Sequence, residues 1–177
     1  GKVADNLLKR NFTAKKPFEK LTTDVTEFSV CNEKVYLSPV MDLYNREIIS
    51  YSISKSPNFW QTREMLQGLF EKLPKGAKPL LHSDQGWQYQ HYSYRQRLSE
   101  RGISQSMSRK GNCLDNAMIE NFFGIMKSEL LYAEKFDSSE AFITALDEYI
   151  DYYNNRRIKS RLNGMSPVKY REINQTG

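Results

Sequence analysis

The sequence predicts a single α/β domain built on a mixed, five-stranded sheet with helices on both faces. Two observations support this prediction. Three segments rich in β-branched and aromatic residues follow one another near the start of the chain, with short connections between them. Helical and strand-like segments then alternate, which is typical of a sheet covered by helices. With 177 residues, 39% of them hydrophobic, the chain is long enough to bury one such core.

The first three strands are predicted at residues 22–30, 35–43 and 47–54, where Val, Ile, Thr, Tyr and Phe are frequent. Residues 31–34 and 44–46 between them are short enough to be hairpin connections. We therefore expect these three strands to be consecutive and antiparallel.

Shorter elements follow in the middle of the chain. A helix is expected to begin after an N-cap at Asn58 and to end before Pro74. Strands are predicted at 79–83 and 103–107, and the helix between them should end at Gly102. The second half of the sheet is thus predicted to alternate strand and helix.

Two longer helices are predicted near the C-terminal end. The first has an apolar face at helical spacing, formed by Ile119, Phe122, Met126 and Leu130. Asn116, Glu120 and Lys127 recur on another face of the same helix. The second helix is expected to begin at a capping box formed by Asp137 and Glu140.

Composition and charge exclude several classes of protein. No apolar run approaches the ~18 residues of a membrane span, and no signal-peptide pattern opens the sequence. Cys31 and Cys113 form no Cys-x-x-Cys pair, and only two histidines are present, which argues against a zinc site. A reducing, cytoplasmic setting fits this cysteine content. The net charge of +5, concentrated at both ends, favours a polyanionic partner.

Three acidic residues stand where the predicted fold could bring them together. Asp24 lies in the first strand, Asp84 at the end of the fourth, and Glu120 on a late helix. The first two are separated by 59 residues and the last two by 35. Carboxylate oxygens are the ligands that Mg²⁺ prefers, and two such ions about 3.5–4 Å apart stabilise both oxygens of a phosphodiester exchange. The pattern indicates metal-dependent cutting and joining of nucleic acid.

Other polar residues are given less specific interpretations. Glu27 should point to the opposite strand face from Asp24, as a surface acid or ion-pair partner. Asp42 stands where a strand approaches its turn, so a turn role is favoured over catalysis. His82 is interpreted as a hydrogen-bond partner behind Asp84 or as a packed core histidine. Asn116 could orient a ligand or cap its helix, and the sequence leaves both open.

Short motifs recur along the chain in a fixed order: Thr23-Asp24-Val25-Thr26, His82-Ser83-Asp84-Gln85-Gly86, Ser106-Met107-Ser108-Arg109-Lys110-Gly111-Asn112, Asp115-Asn116-Ala117, Glu120-Asn121-Phe122-Phe123, Tyr153-Asn154-Asn155-Arg156-Arg157 and Met165-Ser166-Pro167-Val168. In these motifs the chain resembles the catalytic, integrase-core domain of bacterial insertion-sequence transposases of the DDE class, which are related to retroviral integrases. The resemblance runs from about Pro17 to Glu172. One departure is that Leu21 and Thr22 stand where the family often has a Trp. The predicted element order is also that of the ribonuclease H-like fold.

The resemblance implies a DNA transposase that hydrolyses a strand at an element end and transfers the freed 3′-OH to another phosphodiester. It implies two Mg²⁺ ions, for which Mn²⁺ may substitute, with Asp24 and Asp84 sharing them and Glu120 completing the second site. Element-end and target DNA, and further copies of the chain, are the implied partners, in the bacterial cytoplasm at the nucleoid. The residues expected to contact DNA are Lys127, Arg109, Lys110, Arg156, Arg157, Lys159 and Arg161.

The domain organisation is interpreted in the same way. Residues 1–20 are expected to be a basic linker from a missing N-terminal DNA-binding region, 21–155 the ribonuclease H-like catalytic core, and 156–177 a basic C-terminal extension. Two alternatives stay open at this point. The chain could be a ribonuclease H-like nuclease that only hydrolyses, or a catalytically silent DNA-binding or scaffold protein.

Overall fold

The computed structural model describes residues 1–111, 116–131 and 135–175. The strands there are β1 (Lys20–Thr23), β2 (Thr26–Val30), β3 (Glu33–Asp42), β4 (Ile48–Ser54), β5 (Leu80–Ser83) and β6 (Ser104–Met107). The α-helices are α1 (Phe59–Lys72), α2 (Trp87–Gln90), α3 (Tyr92–Glu100), α4 (Ala117–Met126), α5 (Ser139–Asn155) and α6 (Pro167–Asn174). A π-helical turn, Lys127–Leu131, extends α4. In the described part of the chain, no helix is long and apolar enough to cross a membrane.

The sheet is mixed, as predicted. Strand β3 pairs antiparallel with β1 and β2 along one edge and with β4 along the other. Strand β5 then pairs parallel with β1, and β6 pairs parallel with β5. The first three predicted strands are therefore antiparallel neighbours, and the later strands extend the sheet in parallel, which places the ends of β1 and β5 at the same edge.

The predicted continuous strand at 22–30 is wrong in one respect, because it is interrupted at Asp24 and Val25. Strands β1 and β2 keep the same register against β3, and this register, continued through the gap, puts Pro39 opposite Asp24. Proline has no N–H to give to the ladder. The Val25 N–H instead donates to the Asp24 carboxylate at 2.8 Å. Since β1 and β2 occupy one position in the sheet, the five-strand layout still holds.

Hydrophobic layers cover both faces of the sheet. One layer packs α4 and α5 against β2, β3 and β4, and the other packs α1 and α3 against β1, β5 and β6. The predicted apolar face of α4 and its extension is buried in the first layer. There the Phe122 ring lies 4.8 Å from that of Tyr153, and Phe28 lies 4.9 Å from Phe142, between ring centroids. The helix that carries Glu120 is thus fixed against the sheet by its own apolar residues.

The helix ends agree with the sequence in part. Asn58 caps α1 through its side chain, and the backbone of Gly102, with φ +69°, follows the end of α3. The predicted capping box at Asp137 is wrong, because Ser138 is the N-cap of α5 and its side chain accepts from the Ala141 N–H. Glu140 pairs with a lysine, Lys55, rather than returning to the cap. The short helix α2 was not predicted.

Both ends of the chain pack against the core. Before Lys20 the described residues form no helix or strand, yet Ser106 Oγ of β6 accepts from the N–H groups of Leu7 and Leu8 at 2.9 and 3.1 Å. At the other end, the Asn45 amide donates to the Pro167 carbonyl at 2.9 Å. The division into linker, core and extension stays a prediction.

Asp42 has the turn role that the sequence favoured. Its side chain is fully buried, and it accepts from the N–H groups of Phe18 and Tyr44 at 2.8 and 2.9 Å. Burial nevertheless outweighs these bonds and raises the pKa of Asp42 from 3.8 to about 6. The folded protein therefore holds a proton on this carboxyl at pH values where the unfolded chain has lost it.

We expect the free energy of unfolding to contain a contribution from Asp42 that is fully present below pH 3.8 and is lost as pH rises through about 6. A shift of this size corresponds to at most about 3 kcal/mol. Urea unfolding between pH 4 and 8 should show stability falling less steeply in Asp42→Asn than in the wild type. Glu148→Gln, at an exposed acid of α5, is the control and should keep the wild-type profile. Parallel profiles for the wild type and Asp42→Asn would contradict the prediction.

Candidate active site

The three predicted acidic residues line one open cavity of about 440 Å³. Asp24 directly follows β1 and Asp84 directly follows β5. Because β1 and β5 are parallel neighbours, these two side chains leave the sheet at the same edge. Glu120 comes from the first turn of α4, whose N-terminal end faces that edge. The fold therefore gathers three carboxylates from distant parts of the sequence.

The backbone after β5 holds the Asp84 carboxylate in place. The Gly86 N–H donates to Asp84 Oδ1 at 2.7 Å, which closes a tight turn between β5 and α2. A Cβ atom on Gly86 would lie 2.9 Å from that same oxygen and 2.9 Å from Gln88 Oε1. A side chain at this position would thus push against the carboxylate and displace it, so glycine leaves the Asp84 side chain in its hydrogen-bonded position.

The charges in this cavity repel one another. Burial raises the pKa of Asp24 to about 7, and the negative charges of Asp84 and Glu120 add to the effect. The hydrogen bond from Val25 N–H opposes the shift but does not cancel it. The ionised form of Asp24 is unfavourable in this cavity unless positive charge is brought close to it.

The residues present fit a hard divalent cation. The candidate ligands are carboxylates, which Mg²⁺ accepts readily, and a cation between Asp24 and Asp84 would offset their mutual repulsion. Across residues 1–111, 116–131 and 135–175, no three His, Cys, Asp or Glu side chains stand close enough to hold one metal ion together. Glu120 is the exposed member of the trio, and its side chain can rotate about three bonds. The trio thus shares a cavity but is not gathered at coordination distance.

Asn116 connects the strand of Asp24 to the helix of Glu120. It occupies the N-cap position of α4, but its side chain makes no capping bond. Instead the Thr22 hydroxyl donates to Asn116 Oδ1 at 2.6 Å, and Asn116 Nδ2 donates to the Thr23 carbonyl at 3.4 Å. These bonds fix the start of α4 beside the backbone that precedes Asp24. Asn116 is buried and also lines the cavity.

His82 lies in the core behind this edge of the sheet. It is 1% exposed, and its Nδ1 is 2.8 Å from Ser106 Oγ on the neighbouring strand. The cavity is not lined by His82. Its position matches the packed histidine of the sequence analysis rather than a direct metal ligand.

The basic residues predicted to contact DNA fall into separate places. Arg109 and Lys110 are exposed and line the rim of the acidic cavity. Lys127 does not line it, because its Nζ lies 5.3 Å from the centre of the Phe28 ring. Arg156 is exposed over the ring of Tyr152. The other three line a second cavity, of about 480 Å³: Arg157, Lys159 and Arg161.

Some lining residues were missed by the sequence analysis. Gln85, Ser108 and Gly111 line the acidic cavity, and each adjoins a predicted site residue, so their position in the motifs was the available signal. Arg46 lines the second cavity, and nothing in its sequence context marks it. Three residues of the quoted motifs and cysteine analysis lie outside the described residues: Asn112, Cys113 and Asp115.

Two matches to family models cover most of the chain. Both models are described as an integrase core domain, and they match residues 14–113 and 120–175. The chain therefore belongs to the integrase core family. The fold and the paired strand-end carboxylates described above lie within these matched ranges.

Relatives place the chain among insertion-sequence transposases. It is 54% identical over 171 residues to an uncharacterised transposase-like protein of Haemophilus influenzae, covering 97% of this chain and 79% of that protein. It is 53% identical over 176 residues to the putative transposase InsK of insertion sequence element IS150 from Escherichia coli K12, covering 99% of this chain and 62% of InsK. DNA transposition is therefore the function that these relationships support, as the sequence predicted. The chain spans less than two thirds of the length of InsK.

Solved structures confirm the ribonuclease H-like fold. The catalytic core domain of HTLV-2 integrase in complex with magnesium, in a trimeric form, matches with a TM-score of 0.67 at 16% identity, covering 89% of this chain and 99% of that one. A chain of the simian T-cell lymphotropic virus intasome in complex with the PP2A regulatory subunit B56 gamma matches with a TM-score of 0.73 at 16% identity. That match covers 97% of this chain and 57% of the other. At this level of identity the likeness is one of fold.

Proposed function

We propose that Asp24, Asp84 and Glu120 are the catalytic carboxylates of a magnesium-dependent DNA transposase that cleaves element ends and joins them to target DNA. The observation that supports this most strongly is their convergence on one cavity, where burial and the other two carboxylates raise the pKa of Asp24 to about 7. A cavity in which three carboxylates meet is suited to binding cations.

The chain's own residues have distinct tasks in this proposal. Asp24 and Asp84, at neighbouring strand ends, would bind the cations jointly, and Glu120 would complete the second site by turning inward from α4. Arg109 and Lys110 on the rim would bind phosphates of the incoming DNA. When bound, the two Mg²⁺ ions, or Mn²⁺ in their place, would stabilise the attacking and leaving oxygens.

The joining reaction balances without an external energy source. The 3′-oxygen at the element end forms a bond to a target phosphorus and gives up its proton. The bond between that phosphorus and its own 3′-oxygen breaks, and the departing oxygen takes up a proton to become a new 3′-OH. One phosphodiester is made for each one broken.

The proposed function implies DNA partners, self-association and a cellular location. The DNA partners would be the ends of the element and its target, by analogy with relatives named as transposases. Self-association in the active complex is proposed because the core of HTLV-2 integrase has been solved in dimeric and trimeric forms. The proposed setting is the bacterial cytoplasm, at the nucleoid. Residues 1–20 would be the basic linker to a DNA-binding region, and 156–177 a basic extension.

The test is a strand-joining assay with the element's own ends. A labelled duplex carrying a free 3′-OH at one end would be incubated with the protein and a plasmid target in Mg²⁺, in Mn²⁺ or in EDTA. We expect joined products in either metal and none in EDTA. Shortened strands without joined products would favour a nuclease that only hydrolyses. Binding without any product, and without metal in crystals soaked in Mn²⁺, would favour a silent DNA-binding protein.

A further inference from the structure

We propose that the second cavity, between the β3–β4 turn and the segment after α5, is a binding site for a phosphate of the DNA backbone. Four cationic residues line it: Arg46, Arg157, Lys159 and Arg161. No carboxylate is among the lining residues that the structure describes. A concave site of about 480 Å³ with this charge is suited to a polyanion.

Arg46 is the most informative residue of this cavity. Its backbone is held on both sides, since its N–H donates to the Asp42 carbonyl at 2.8 Å and its carbonyl accepts from the Tyr153 hydroxyl at 2.7 Å. Among the described residues, its Nη1 is buried and has no hydrogen-bond partner. An unsatisfied donor on a buried guanidinium is costly. The protein therefore keeps an unsatisfied cationic donor beside the cavity, which a bound phosphate oxygen would satisfy once the guanidinium turned toward it.

The other cationic residues of this cavity repel one another. Burial, together with the charges of Arg157, Arg46 and Arg161, lowers the pKa of Lys159 to about 8. Arg157 is already paired, because its guanidinium donates to the Glu129 carboxylate at 2.8 Å. The cavity thus holds cations whose mutual repulsion an anion would relieve, and one of them is anchored from outside by Glu129.

The place of the cavity favours DNA over a free anion. A shallow groove along α4 connects the two cavities. It shares Glu120 with the acidic cavity, and it shares Asn121 and Arg157 with the second cavity, which we call the basic cavity. A DNA strand with a phosphodiester at the three carboxylates could therefore continue along α4 into the basic cavity. Phosphate contacts of this kind position DNA without reading its sequence. To this extent the inference rests on the proposed function, because it takes the acidic cavity as the place where DNA reacts.

The test is DNA binding by the full 177-residue chain, in EDTA, with charge-removing variants. Arg46→Gln and Lys159→Gln are each expected to weaken binding to a short labelled duplex on the order of tenfold, and to lower the slope of log affinity against log salt by about 1. The matched control is Arg63→Gln, which removes the same charge from an exposed position on α1 and lines neither cavity nor the groove between them. It should change the affinity by less than about threefold.

Each outcome supports or overturns the proposal. Equal weakening by Arg63→Gln and the cavity variants would show general charge attraction and overturn it. If the melting temperature shows that Arg46→Gln does not fold, Lys159→Gln decides alone. Inorganic phosphate that raises the melting temperature of the wild type, with unchanged DNA affinity in the variants, would assign the cavity to a free anion. Because binding is measured in EDTA, a chain that binds DNA here but joins no strands contradicts only the catalytic proposal.

Discussion

Replacing Asp84 by Asn, or Glu120 by Gln, is expected to lower the rate of strand joining on the order of a thousandfold or more, because each removes the charge of a proposed metal ligand but keeps the side-chain shape. The same holds for Asp24→Asn. The measurement is the initial rate of joined product in saturating Mg²⁺. Joining that continues at the wild-type rate in any of the three would remove that residue from the mechanism.

Asp24→Asn gives a second readout that separates lost chemistry from lost folding. The Asp24 carboxylate is mostly buried beside like charge, so neutralising it should raise the free energy of unfolding in metal-free buffer at pH 8 by about 1–3 kcal/mol. Adding Mg²⁺ should stabilise the wild type but much less so this variant. A variant that is inactive yet more stable cannot be explained by misfolding.

The matched control for all three is Glu27→Gln. Glu27 is an exposed acid that follows Asp24 by three residues and lies on the other strand face, where it pairs with Lys34 at 2.9 Å. A surface ion pair of this kind contributes little to stability, because solvent screens it. Joining by Glu27→Gln should stay within about twofold of the wild type, because the residue has no contact with the acidic cavity.

Most of the secondary structure that could be predicted from the sequence followed from strand and helix periodicity. Alternation along a strand was sufficient to separate Asp24 from Glu27, and helical spacing separated the buried face of α4 from the face of Glu120. Since strand ends and helix turns are set by these local rules, the convergence of Asp24, Asp84 and Glu120 followed once the strand order was assumed. Local signals thus predicted most of the strands and helices, and the resemblance to the ribonuclease H-like fold supplied the strand order that brings the three acids to one cavity.

What failed depended on partners that are distant in the sequence. The break at Asp24 lies opposite Pro39 on the neighbouring strand, which a reading of residues 22–30 alone does not include. At the start of α5, Ser138 is the N-cap, and Glu140 pairs with the distant Lys55 instead of returning to the cap. In both places a contact with a residue distant in the sequence accompanies the departure from the local prediction.

Sequence-based prediction has the same limit for the basic residues that are expected to contact DNA. Charge along residues 156–161 indicated a phosphate-binding surface, but not which side chains turn into a cavity. Lys127 follows the helix of Glu120, at the start of the π-helical turn, yet its ammonium group lies over the Phe28 ring. Arg46 enters the basic cavity from a turn more than a hundred residues away from Lys159. Which cationic side chains meet in one cavity is decided by the tertiary packing of the chain.

Phe122→Ala is expected to lower the free energy of unfolding by about 3–5 kcal/mol, the largest effect on stability that we predict. The Phe122 side chain is 1% exposed and lies against Tyr153 and Phe123, with ring centroids 4.8 and 5.9 Å away. Truncation would leave a cavity between α4 and α5 that the surrounding rings cannot fill without moving. Urea unfolding at pH 7, followed by circular dichroism, measures the change.

The control is Trp60→Ala, which removes a larger side chain that is 65% exposed and should cost less than about 1 kcal/mol. Phe122→Leu should fall between the two, because most of the buried volume is kept. A loss below about 1 kcal/mol in Phe122→Ala would contradict the packing of α4 on α5. That packing matters for both cavities, since the adjoining Tyr153 hydroxyl holds the backbone of Arg46 while α4 itself carries Glu120. Phe122→Ala should therefore weaken DNA binding and strand joining together, even under conditions where the variant is still folded.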